Sequence, residues 1–100
     1  MMLYAISGTD APDSLAGRRQ PRTAHLARVT ALRDAGRLVV AGPHPAIDST
    51  EPGTLGYTGS LIIAEFPGLD EASAWAHADP YLAAGVWSKV DVKPFIQVMP

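Results

Sequence analysis

The chain contains no cysteine. That excludes disulfide staples, Cys-ligated zinc and thiol catalysis. Small secreted domains commonly rely on disulfides, so the absence favours a cytoplasmic setting. No apolar run approaches the ~20 residues that a membrane-spanning helix needs. The stretch Met1–Ile6 has no basic region before it and soon turns polar, unlike a signal peptide. Positive charge is scarce: 8 Lys and Arg stand against 10 Asp and Glu, a net charge of −2. Only Arg18, Arg19, Arg22 and Arg28 gather. Nucleic-acid binding needs a larger cationic cluster, so no such partner is expected. Gly-x-Gly-x-x-Gly does not occur, which argues against a nucleotide cofactor. Gly-x-Ser-x-Gly is missing as well, so Ser7, Ser60 and Ser88 are not in a nucleophile elbow.

What is present is ordinary for a globular domain: 100 residues, 47% hydrophobic and 18% charged. One domain over residues 1–100 is expected. For 10.6 kDa, area scaling gives a folded surface of ~5,500 Å². That leaves room for one modest core.

Residues 2–7 read as a strand closed by Gly8, Asp10 and Pro12. The arginine-rich segment 12–20 has Asp13 or Ser14 to cap a single helical turn. From Pro21, Leu26, Val29 and Leu32 recur at helical spacing, and Gly36 supplies a stop. Leu38–Ala41 is a second strand, followed by a loop of about 15 residues rich in Gly and Pro, long for so small a domain. Gly59–Phe66 is a third strand. Asp70 is placed to cap a second helix that runs to about His77. Asp79–Pro80 breaks it, and a short turn ends at Gly85. Val90, Val92, Ile96 and Val98 share one face of a last strand, and Pro94 within it implies an edge position or a bulge. The order β-α-β-β-α-β is the ferredoxin-like arrangement, a four-stranded antiparallel sheet with both helices on one face. The other face is left with uncovered Leu, Ile, Val and Phe. Packing two sheets face to face would bury them, so a homodimer is expected.

The residues able to carry chemistry are few. On a helical projection from Arg22 to Leu32, Val29 lies ~40° from His25, Leu32 ~20° to the other side, and Arg22 ~60° away. His25 therefore sits on the face that meets the sheet, with Arg22 beside it, while Arg28 is expected on the solvent side. A buried histidine needs a partner. It is either a structural group satisfied by a carbonyl or an acid/base group. Asp79 is the natural partner, although before Pro80 it also suits a helix N-cap. A carboxylate on one imidazole nitrogen fixes the tautomer and makes the other nitrogen the better base. His44 and His77 do not combine with His25 at metal-ligand spacing, and no metal is expected. Trp75 and Trp87 read as core or interface anchors. Gly42–Pro43 could let the chain approach a ligand closely.

The segments Arg22-Thr-Ala-His25-Leu26, Leu38-Val-Val-Ala-Gly42-Pro43, Gly59-Ser60-Leu-Ile-Ile-Ala-Glu65-Phe66 and Ala78-Asp79-Pro80-Tyr81-Leu-Ala-Ala-Gly85-Val86 occur in that order. With Val92-Lys93-Pro94-Phe95 they cover essentially the whole chain, which resembles the YciI-like family of small proteins. The resemblance implies a dimeric α+β barrel and a pocket in each protomer built around a His–Asp pair, matched here by His25 and Asp79. It places Ser60, Arg22 and Gly42–Pro43 among the pocket-lining residues. It includes a relative that acts as a dehydrochlorinase on a chlorinated hydroxyquinol. Three uses of such a pocket are weighed. The first is proton transfer on a small polar or aromatic molecule by elimination, isomerisation or lyase chemistry, without a cofactor. His25 is then the acid/base, Asp79 orients it, Arg22 holds an anionic oxygen, and Ser60 donates or accepts a hydrogen bond. The second is a non-catalytic small-molecule-binding or accessory module. The third is a structural dimer with a vestigial pocket.

Overall fold

The computed structural model describes all residues, 1–100. Alternation of apolar side chains builds four strands: β1 (Met2–Asp10), β2 (Leu38–Pro45), β3 (Tyr57–Phe66) and β4 (Trp87–Phe95). They form one antiparallel sheet in the order β2-β3-β1-β4. Three helices connect them: α1 (Arg22–Asp34), α2 (Leu69–His77) and the short α3 (Pro80–Ala83). This is the ferredoxin-like arrangement expected from the sequence.

The register sets which face is which. Tyr4 pairs with Ala64, and Ile6 with Ile62. These four side chains, with Phe66, face the helices and pack against Val29 and Leu32 of α1, Ala72 and Ala76 of α2, and Tyr81 of α3. The residues between them point the other way. Ala5 pairs with Ile63 and Ser7 with Leu61, and all four are only half-buried. The accessible surface is 6172 Å², above the ~5,500 Å² that mass scaling gives.

Several boundaries differ from the sequence reading, each for a physical reason. β1 does not close at Gly8 but runs to Asp10. Gly8 is there because a Cβ would lie 2.2 Å from the Trp87 ring. β2 extends past Ala41 to Pro45. It is an edge strand, so its prolines leave no ladder bond unmade. The loop is correspondingly shorter, and it holds a 3₁₀ turn at Gly53–Leu55. The N-cap of α2 is Gly68, not Asp70. Asp70 and Glu71 sit in its first turn instead, where a negative charge favours the helix. β4 ends at Phe95, so Ile96 and Val98 lie beyond it, 76% and 83% exposed. The 12–20 segment holds a 3₁₀ turn at Ala16–Arg18 with no side-chain cap, because the Ser14 hydroxyl donates to Asp10 instead.

Candidate active site

α1 carries His25 one turn in from its start, on the same face as Val29 and Leu32. The α2–α3 corner brings Asp79 to it across 54 positions of sequence. His25 Nδ1 lies 2.9 Å from Asp79 Oδ1 and 2.8 Å from Oδ2. Asp79 is wholly buried, and its Oδ1 also accepts from the Tyr81 backbone N–H at 2.8 Å, so it caps α3 as well. The two readings of Asp79 are therefore both met by one side chain. A carboxylate only accepts hydrogen bonds, so Nδ1 carries the proton and Nε2 of the neutral ring is bare. Nε2 has no protein partner. The imidazole is clamped by its neighbours. It stacks on Tyr81 at 4.0 Å and meets Trp87 edge-on at 5.7 Å.

In front of His25 lies a cavity of about 490 Å³. Arg22, Gly42, Pro43 and Ser60 all line it with His25, so every pocket residue named from the sequence reaches this one space. Asp79 does not line it and stands behind the histidine. Half of the lining is apolar, from Leu15, Leu26, Val29, Ala41, Pro43 and Ile62 among others. Three arginines line it, Arg18, Arg19 and Arg22, and no carboxylate does. Arg22 and Arg19 are exposed. His44 lies on β2 opposite Gly59, and His77 is exposed and bonded to the Ser73 carbonyl on its own helix. Neither reaches the site.

Arg28 corrects the helical projection. It is not turned to solvent. Its Nη2 donates to the Trp75 carbonyl, its guanidinium carbon lies 4.2 Å from the Trp75 ring centroid, and its Nη1 is 3.4 Å from Asp79 Oδ2. The projection missed this because α2 and α3 fold over that flank of α1. Burial lowers the Arg28 pKa, while the Asp79 charge opposes that shift. Tyr81, under the imidazole, is pushed above the ordinary tyrosine value by burial, against the pull of Arg18 and Arg22.

Two site residues were missed from the sequence. Arg18 is buried, and its Nε and Nη2 fork onto Asp10 Oδ2 and Oδ1, each at 2.8 Å. The same Nη2 reaches Ser60 Oγ at 3.1 Å. Asp10 was read as part of a turn. An acid at the end of a strand and an arginine eight positions later do not advertise a pair.

Known proteins resemble this chain over nearly its full length. Protein YciI of Escherichia coli (strain CFT073) is 58% identical over 97 residues, covering 97% of this chain and 99% of that protein. A Haemophilus influenzae protein is 47% identical over the same share of each chain. Among solved structures, 5-chloro-2-hydroxyhydroquinone dehydrochlorinase (TftG) from Burkholderia phenoliruptrix, in complex with 2,5-dihydroxybenzoquinone, superposes with a TM-score of 0.81 at 30% identity. That match covers 95% of this chain and 94% of the other. With residues 2–96 matching its defining domain, the chain belongs to the YCII-related domain family.

Proposed function

We propose that the protein is an enzyme that moves a proton on a small anionic molecule, with His25 Nε2 as the acid/base and Asp79 as its orienting partner. The observation that carries this reading is the pairing of His25 Nδ1 with both oxygens of a fully buried carboxylate, behind a cavity that the histidine lines. Such an arrangement holds one tautomer and presents a bare nitrogen to whatever occupies the cavity. The two exposed arginines at the rim, with no lining carboxylate to oppose them, favour a substrate carrying negative charge. The apolar half of the lining suits a ring or short hydrocarbon body. Elimination, isomerisation and lyase steps all fit this set of groups and need no cofactor. The dehydrochlorinase activity of the structural neighbour supports an elimination.

The test is turnover on chlorinated and unchlorinated hydroxyaromatic and enolisable compounds. Proton release, chloride release and isomerisation are each followed. The expected result is turnover that His25→Ala reduces by about 10²–10⁴-fold, the usual worth of a positioned acid/base group. Full turnover in His25→Ala ends this mechanism. A second reading, a small-molecule-binding module, rests on the same half-apolar cavity. It is distinguished by tight, pH-dependent binding without turnover.

We also infer that two copies pair through the open sheet face. Leu3, Val40, Leu61, Ile63 and Phe95 lie on that side of the strands by register. In the single chain none of them is fully buried.

A further inference from the structure

The Ser60 hydroxyl has one hydrogen-bond partner in the protein, Arg18 Nη2 at 3.1 Å. Arginine only donates, so the Ser60 oxygen accepts and its own proton is not used there. Ser60 is 5% exposed, and it lines the cavity that His25 also lines. Its unspent proton therefore has the cavity contents as its acceptor.

Arg18 has little freedom to do anything else. Its fork is held by Asp10, and Asp10 Oδ2 is held in turn by the Ser14 hydroxyl at 2.6 Å. Nη2 also reaches the Gly59 carbonyl at 3.2 Å. The Tyr57 and Tyr81 ring centroids lie 4.8 and 5.1 Å from the guanidinium carbon. Only 10% of the Arg18 side chain and 1% of the Asp10 side chain are exposed. Arg18 spends its charge on Asp10 and is not a free anion receptor like exposed Arg22. Such a built and fully paired group is there to fix a geometry.

We propose that Asp10 and Arg18 are positioning residues that hold Ser60 as a fixed hydrogen-bond donor to a substrate oxygen on which negative charge develops as His25 Nε2 takes a proton. The proposal rests on the proton-transfer reading above. It narrows the substrate to a carbon acid whose acidic C–H is conjugated with a ketone, quinone or dienone carbonyl oxygen. In the step, the C–H bond breaks and its proton passes to Nε2. Its electron pair moves through the conjugated system onto the oxygen facing Ser60. No other reagent is consumed. A donor placed where charge develops acts on the transition state more than on the ground state, so its loss falls on kcat rather than KM.

A nitrobenzisoxazole is a direct probe of this division of labour. A base takes its ring C–H proton, the electron pair completes a nitrile, the N–O bond breaks, and the pair leaves on a coloured phenolate. The full chain should accelerate this reaction over free imidazole at equal concentration, and His25→Ala should abolish the gain. Ser60→Ala should lower kcat about 10- to 100-fold with KM nearly unchanged, as expected for a hydrogen bond to a developing charge. Ser60→Thr, which keeps the hydroxyl, should restore most of it. Arg18→Lys keeps a cation but loses the fork. It should cost as much as Ser60→Ala and add nothing to it in the double variant. Asp10→Asn serves in the same cycle if Arg18→Lys does not fold. If Ser60→Ala turns over like the parent while His25→Ala does not, this proposal is overturned and the proton-transfer reading stands. Additive losses in the double variant overturn the positioning role. A parent with no acceleration, or an active His25→Ala, overturns the underlying reading and this proposal with it.

Discussion

At the scale of single residues, the site is an arrangement of buried groups that satisfy one another. Asp79 holds the imidazole, caps α3 and neutralises part of the Arg28 charge with one carboxylate. Tyr81 closes the underside of the ring. Burial raises its pKa, which sets a sign for alkaline behaviour. The folded state disfavours the ionised phenol, so the unfolded chain ionises first. Stability from this group is complete below the ordinary tyrosine value of about 10 and is lost as pH rises beyond it. Denaturation midpoints at about pH 9 and about pH 11 should therefore fall apart in the parent, and fall less in Tyr81→Phe. An equal fall in both proteins would show that Tyr81 contributes nothing. At this scale the sequence was partly legible. Helical spacing placed His25 on an inward face, and the Asp-Pro pair marked a cap. Arg18 and Asp10 were not legible, because their partnership depends on β1 running two residues past Gly8.

At the scale of elements, the fold is positioned by a few close approaches. Across β1 and β3, near the end that holds the site, Gly8 pairs with Ser60 and Gly59 with Thr9. A Cβ at Gly8 would meet the Trp87 ring at 2.2 Å, and one at Gly59 would meet the Gly8 carbonyl oxygen at 2.3 Å. Trp87 is itself the edge-on neighbour of His25. Gly8→Ala should therefore cost at least about 1–3 kcal/mol, as overpacking does, and displace the histidine's support. Chemical denaturation measures the cost, and an unchanged midpoint would contradict this packing. Element order was readable from hydrophobic period together with the Gly, Pro and capping signals. Element ends were not. β1 reads as ending at Gly8 because glycine is common in turns, yet here it serves a contact between distant residues. β2 reads as ending at Ala41 because proline breaks central strands, yet β2 lies at the edge.

At the scale of the whole molecule, the charge and the open face remain to be used. The chain carries a net charge of −2, yet the exposed Arg19 and Arg22 line the cavity unopposed, while the third lining arginine, Arg18, is paired with Asp10. Cationic lining on an anionic protein concentrates attraction at the site. The opposite side of the sheet exposes apolar groups in register, and a second copy is the partner that would cover them. The expected mass in solution is about twice 10.6 kDa. Ile63→Lys, at the centre of the open face, should return the protein to a monomer in sedimentation while leaving it folded. A parent that sediments as a monomer at micromolar concentration would contradict the pairing.

The chemistry proposed for the site depends on Asp79 holding His25 with its proton on Nδ1 and Nε2 bare. Long-range proton–nitrogen NMR of the His25 ring tests it most directly, in the parent and in Asp79→Asn. In the variant, the single amide oxygen is taken by the Tyr81 N–H, as Oδ1 is now, so the amide nitrogen faces Nδ1. An amide N–H₂ only donates, so the ring proton should move to Nε2 and the base should be lost. When neutral, the ring should carry its proton at Nδ1 in the parent and at Nε2 in Asp79→Asn. A parent ring protonated at Nε2, or a tautomer indifferent to Asp79, would contradict it.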